Sequence, residues 1–202
     1  MSENRKEEII LATLKLASEK GLAGVSMNMI AESIGIKKPS LYNHFKSKDE
    51  LVNFMYEYLR ETAKKTTKTE FDMSILDSKS ASEILQTAIN NYIMLSSDKN
   101  MEMFYKVIYS ERAISQNASN IMIIETEKMI QATKFLFFEL QKRKLLEFKN
   151  LELSATSFAL TIHAIMDYEA DKSFSKTGKI TRETKLLNDY IDTFCDEHKV
   201  KE

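Results

Sequence analysis

The sequence predicts an all-α chain, with a three-helix N-terminal domain built around a helix-turn-helix and a larger C-terminal helical bundle. Three observations predict it. Four Gly and one Pro in 202 residues leave few sites for tight turns, which disfavours sheet-rich folds. Apolar residues recur at helical spacing along most of the chain. Ser or Asn with Glu three positions later marks several helix starts. With 43% hydrophobic residues the chain has ample material for a core.

The first helix reads from Asn4, with Glu7 completing a capping box, and carries an apolar stripe of Ile9, Ala12, Thr13, Leu16 and Ala17 before Gly21 stops it. Ser26 caps a short second helix whose inner side is Ile30, Ala31 and Ile34, closed by Gly35. Ile36 then turns inward. Pro39, the only proline, suits the first turn of a third helix over 39–45 and keeps Lys38 out of helical geometry. Leu41 and Phe45, four apart, give that helix its inner side. Ser47 and Glu50 form another capping box and open a long helix through Leu51, Phe54, Met55, Tyr58 and Leu59 to about Lys68.

Periodicity fades over 69–79, and Ser80 with Glu83 opens the larger half. Further helices are expected at 81–96, 101–114, 119–143, 151–172 and 182–198, with Asn150 and Thr181 as caps. The domains are accordingly 1–48 and 49–202, with the helix over 48–68 linking them. No internal repeat is present.

Charge is unevenly placed. The formal net charge is −1, yet residues 1–48 hold eight Lys or Arg against five acids, a net of +3 that leaves −4 for the rest. Lys37, Lys38, Lys46 and Lys48 form an acid-free run, the footprint of a small phosphate-facing surface. A lone Cys195 offers neither a disulfide framework nor a cysteine zinc cage. The start lacks a secretory core, and no stretch reaches the roughly 18 apolar residues of a membrane helix. We therefore expect a cytoplasmic protein with no membrane partner.

Catalytic patterns are missing as well. The sequence has no Gly-rich phosphate loop, His-rich metal motif or nucleophile elbow, so no enzymatic activity and no cofactor or metal are expected. Cys195 and His198, three apart near the end, read as an incidental pair. His163 and Asp167, four apart on one helical face, are too few for a metal site and read as a structural hydrogen-bonded pair.

Residues 26–48 carry the functional pattern. Ala31 lets two short helices approach, Gly35 makes the turn, and Ile30, Ile34, Ile36 and Leu41 fix the crossing. The second of these helices is left outward at a size that fits the DNA major groove. It displays Lys37, Lys38, Ser40, Tyr42, Asn43 and His44. Lys38 and Asn43 have donors for base edges, whereas Ser26, Tyr42 and Lys48 suit phosphate. Taken with Pro39, these nine positions are the candidate DNA-binding set.

The stretch SMNMIAESIGIKKPSLYNHFKSKDEL resembles the DNA-binding signature of the TetR family of bacterial repressors, through Ser26, Ile30, Ala31, Gly35, Leu41, Tyr42, His44, Phe45, Lys48 and Leu51. The similarity covers about a quarter of the chain. Ala17 departs from the aromatic common at its position, and Pro39 from the usual Gly or Ala.

The resemblance implies a repressor that binds double-stranded operator DNA as a homodimer through its last two long helices. It also implies release by a small, largely apolar effector. Leu160, His163, Ala164, Leu186, Tyr190, Ile191 and Phe194 are the candidate seam. For the effector the Met- and aromatic-rich C-terminal half offers Tyr92, Met103, Phe104, Tyr105, Tyr109, Phe135, Phe138, Phe158, His163, Met166 and Asp167. Each also reads as ordinary core. A dimeric helical adaptor, or a repressor without an effector, fits the same residues.

Overall fold

Nine α-helices form among the described residues of the computed structural model, which are 2–68, 71–181 and 183–200. The connector start expected at Thr69 and the helix start expected at Arg182 lie outside them.

Helix α1 spans Ser2–Lys20. Asn4 lies inside it, so the capping box with Glu7 does not form; a cap needs non-helical backbone at its first member. Arg5 instead donates to the Glu8 carboxylate at 2.6 Å on the exposed side. The buried stripe is Ile9, Ile10, Thr13, Leu14 and Ala17, with Ala12 and Leu16 only half-buried. Thr13 is accommodated because its hydroxyl donates to the Ile9 carbonyl at 2.7 Å.

Helices α2 (Met27–Ser33), α3 (Lys38–Tyr42) and α4 (Lys48–Thr67) follow. Ser47 Oγ accepts the Glu50 N–H at 3.0 Å, and the Glu50 carboxylate accepts from Lys46 N–H at 2.7 Å. That is the expected capping box with its return bond moved by one residue. A 3-10 turn covers Met73–Asp77. Helix α5 (Ala81–Ser96) starts at the expected box, with Ser80 N–H 2.9 Å from the Glu83 carboxylate.

Helix α6 (Lys99–Glu111) begins before the expected 101, because Asp98 accepts the N–H groups of Asn100 and Met101 at 3.0 and 3.2 Å, and it ends before 114. Helix α7 covers Gln116–Lys142, and α8 covers Leu151–Thr177. Asn150 caps α8 as expected, taking the Leu153 N–H at 3.0 Å, but α8 runs past 172 until Gly178 stops it. Helix α9 is Lys185–Glu197, preceded by Thr184. Thr181 is not its cap; its N–H is held by the Ser173 hydroxyl at 2.9 Å.

Packing divides the chain into two units, 1–70 with 92–124 and 71–91 with 125–202, and α5 and α7 contribute residues to both. The cut differs from a boundary at residue 48 for a physical reason. Leu51, Val52, Met55, Tyr56 and Leu59 on α4 share one core with Ile9, Ile30, Leu41 and Phe45, so ending a unit at 48 would strip that core of one side. Met101, Phe104, Val107 and Ile108 of α6 complete it, with the Tyr56 and Phe104 rings stacked at 5.9 Å.

The second unit centres on Phe137, fully buried. Its ring lies 4.5 Å from Phe148, 5.3 Å from Phe158 and 5.4 Å from Phe194. Such pairs contribute about 0.5–1.5 kcal/mol each beyond area burial. Two residues expected at a dimer seam are therefore misplaced: Ile191 and Phe194 are buried within their own unit. Leu160 and Leu186 remain exposed.

No helix among the described residues is long and apolar enough to cross a membrane. Among the same residues no group of three or more His, Cys, Asp or Glu is placed to hold a metal ion.

Candidate nucleic-acid interface

Local chemistry builds the turn between α2 and α3. Ser26 has extended backbone, and its Oγ accepts the Met29 N–H at 3.2 Å, which satisfies one of the orphan amides of α2. Its hydroxyl hydrogen is left to donate outward. At the other end Gly35 takes φ +68°, a left-handed conformation that side chains resist. Its N–H donates to the Glu32 carbonyl at 3.1 Å, and Ile36 N–H reaches the Ala31 carbonyl at 3.0 Å. The chain is thereby turned back, and Ile36 packs against the core.

Helix α3 is shorter than the expected 39–45. Lys37 is its N-cap residue and Lys38 its first helical residue, so Pro39 stands second, where its missing N–H is still outside the hydrogen-bond ladder. Lys38 is thus helical, contrary to the expectation that the proline would exclude it. Regular helix ends at Tyr42, and His44 N–H and Phe45 N–H turn back to the Leu41 carbonyl at 2.9 and 3.1 Å. Leu41 and Phe45 are buried at 0% and 2% exposure.

Everything else on α3 faces out. Lys37, Lys38, Pro39, Ser40, Tyr42 and Asn43 are exposed, and His44 is half-buried. The Lys38 ammonium lies 5.8 Å from the centre of the Tyr42 ring, a cation–π placement worth about 0.5–1 kcal/mol at an exposed site. It keeps the lysine stem alongside the helix. The face combines cationic donors (Lys37, Lys38), an amide able to bond adenine in two places (Asn43) and the hydroxyls of Ser40 and Tyr42, with no acid.

Lys48 is held differently from a simple surface cation. Its ammonium donates to the Leu22 carbonyl at 3.0 Å and to the Val25 carbonyl at 3.2 Å. Two of its three N–H groups are engaged by the loop before Ser26, and one is left for solvent or a phosphate. From the other side the Ala23 N–H donates to Glu111 of α6 at 3.2 Å. Neither contact leaves a local mark in the sequence, since the partners lie 23 to 88 residues apart. Lys6 of α1 also sits 4.7 Å from the Phe54 ring and 5.8 Å from that of Phe45, which covers the edge of the motif.

The candidate effector residues divide between the two packing units. Tyr92, Met103, Phe104, Tyr105 and Tyr109 belong to the first; Phe135, Phe138, Phe158, His163, Met166 and Asp167 belong to the second. Phe104 and Phe158 are fully buried among protein side chains, whereas Phe135 and Phe138 are half-exposed, at 50% and 56%. Tyr92, Met103, Tyr105, Tyr109, His163 and Met166 are partly buried. Burial holds His163 below its ordinary pKa against the opposing pull of Asp167 and Glu125. His198 does not face Cys195 as a reactive partner: its Nδ1 lies 2.9 Å from the Phe194 carbonyl and its ring stacks on Phe194 at 4.2 Å.

Fold and site together define an all-α helix-turn-helix protein whose third helix presents an exposed, acid-free face. Residues 9–54 match the family described as bacterial regulatory proteins, tetR family. The chain carries the helix-turn-helix segment of that family. Among similar proteins is the biofilm operon icaADBC HTH-type negative transcriptional regulator IcaR of Staphylococcus aureus (strain Newman), 43% identical over 58 residues, which are 27% of this chain and 31% of that one. The tetracycline repressor protein class C of Escherichia coli is 33% identical over 57 residues, 28% of this chain and 26% of its own. The match thus spans under a third of these relatives' length. Over the whole fold, the flavonoid-responsive regulator FrrA superposes with a TM-score of 0.73 at 18% identity, covering 99% of this chain and 100% of its own.

Proposed function

We propose that the chain is a DNA-binding transcriptional regulator of the TetR type, a repressor that binds operator DNA as a homodimer. The observation that carries this reading is the acid-free outer face of α3. Lys38 and Asn43 address base edges, with Lys37, Ser40 and His44 beside them in the major groove and Pro39 stiffening the backbone that presents them. Ser26, Tyr42 and the remaining N–H of Lys48 contact phosphate and set register. The division of labour is between 1–48, which reads, and 49–202, which pairs.

Pairing uses α8 and α9, where Leu153, Leu160, Tyr168 and Leu186 are exposed apolar residues on helices otherwise committed to their own core. A two-fold dimer sets two reading helices about 34–36 Å apart, one turn of DNA, on a near-palindromic site. IcaR is described as a negative regulator, which supports repression over activation. FrrA is flavonoid-responsive, which supports a small, largely apolar effector acting by favouring a different separation of the reading helices.

The test is binding to the duplex immediately upstream of its own coding sequence across a salt series. Affinity falling steeply with salt is expected, and Tyr42→Ala weakens binding to all sequences, while Asn43→Ala relaxes sequence preference. Salt-independent or absent binding refutes the reading. A second reading, repression without an effector, is favoured by one observation: Phe104 and Phe158 are already packed by protein. Native mass spectrometry of the purified protein separates the two, a bound small molecule supporting the effector.

A further inference from the structure

The apolar face of α6 ends on a charge. Met101, Phe104 and Ile108 are fully buried, and Glu111, next in the same helical stripe at a spacing of three, is 7% exposed. An apolar residue is what that position calls for, since a buried carboxylate is costly unless it is hydrogen-bonded. Its partner is the Ala23 N–H, 3.2 Å away. The turn that offers this amide is shaped to receive it: Gly21 has φ +72°, and a Cβ there would stand only 3.3 Å from Glu111 Oε1. Lys48 holds the same turn by its carbonyls at Leu22 and Val25. An acid takes the donor and a base takes the acceptors.

We infer that Glu111 is a positioning residue for DNA binding: through the Ala23 amide it fixes, together with Lys48, the turn that delivers Ser26 to the start of α2, and so sets the pose of α2 and α3. The inference rests on the DNA-binding reading. Glu111 touches no nucleic acid. It makes the position of α6 felt at the reading helices, because a displacement of α6 by about 1 Å stretches a 3.2 Å bond past the useful range.

Three variants test it, each titrated with the duplex upstream of the protein's own coding sequence over a salt series. Glu111→Gln keeps an acceptor oxygen at the same reach and stays within about twofold of wild type. Glu111→Asp withdraws the carboxylate by one methylene, and Glu111→Leu leaves the Ala23 amide orphaned; both lose about tenfold in affinity. The salt slope is unchanged in all three, since no phosphate contact is removed. Amide exchange adds a readout on the wild-type protein, in which Ala23 N–H is protected like a helix amide. If the Leu variant does not fold, the Gln and Asp pair decides. Equal affinity of Asp and wild type, loss in Gln as large as in Asp, a slope altered by a full phosphate, or free exchange at Ala23 overturns the role. Wild-type protein without salt-dependent binding refutes the DNA-binding reading itself, a distinct result.

Discussion

Replacing Lys48 with Met separates two jobs that a surface lysine would not combine. Methionine keeps the apolar stem and removes the ammonium, so the Leu22 and Val25 carbonyls lose donors at 3.0 and 3.2 Å. A hydrogen bond with a charged partner contributes about 1.5–3 kcal/mol. Lys48 is half-buried, so water takes over part of each bond, and we take about 1 kcal/mol apiece, or about 2 kcal/mol in all. For a chain of this size that lowers Tm by about 4–8 °C. An exposed lysine with no such contacts would cost close to zero. The assay is paired: thermal unfolding by circular dichroism, and DNA affinity against salt. The loss of one phosphate contact flattens the log–log slope by about 0.9, while loss of the clamp lowers affinity without changing the slope. An unchanged Tm with a slope flatter by a full phosphate would refute the internal role.

Three other outcomes follow from the packing. Gly35→Ala meets open space, with nothing within 4 Å of the added Cβ, so its cost is the left-handed backbone alone, about 1–2 kcal/mol by denaturant unfolding; a neutral result would show that the turn relaxes. Burial lowers the His163 pKa from its ordinary 6.5, so the fold favours the neutral ring. As pH falls below 6.5 the unfolded chain takes the proton first and stability declines through the window down to the lowered native value. His163→Gln should therefore flatten the Tm profile below pH 6.5, and an identical profile would count against it. Burial, with Asp192 and Asp196 adding to it, pushes the Cys195 thiol up to about 12. Labelling by a thiol reagent at neutral pH should be slow until the protein is denatured, and rapid native labelling would contradict that.

Much of the reading unit was legible because its determinants are local. Ser26, Gly35 and the Ser47–Glu50 box act within four residues of themselves and stand where their patterns point, while Pro39 lies in the first turn of α3 one residue later than expected. Asn4 and Glu7 have the residue types of a capping box, but a box forms only where the chain is not already helical. Asp98 is not legible as a cap because the polar Lys99 and Asn100 follow it, and the stripe that marks a helix starts only at Met101. Phe135 and Phe138 look interior in sequence but are exposed, because periodicity counts apolar residues and does not say which of two aromatic faces, theirs or that of Phe137, meets the core. The clamp on residues 21–25 was invisible, since a carboxylate 88 positions away leaves no mark on local spacing.

The reader α3 is anchored by Leu41, with Phe45 just beyond it, and by little else. On the proposed DNA-binding reading, the residues that would meet the duplex are therefore not the residues that hold the fold. Exchanges at the exposed Lys37, Lys38, Ser40 or Asn43 alter what is displayed and leave the buried volume untouched, so on that reading mutational drift could rewrite the recognised sequence in single steps, each passing through a folded protein. The frame and the address of such a scaffold are separable: Leu41 and Phe45 keep the first while the outer side chains set the second.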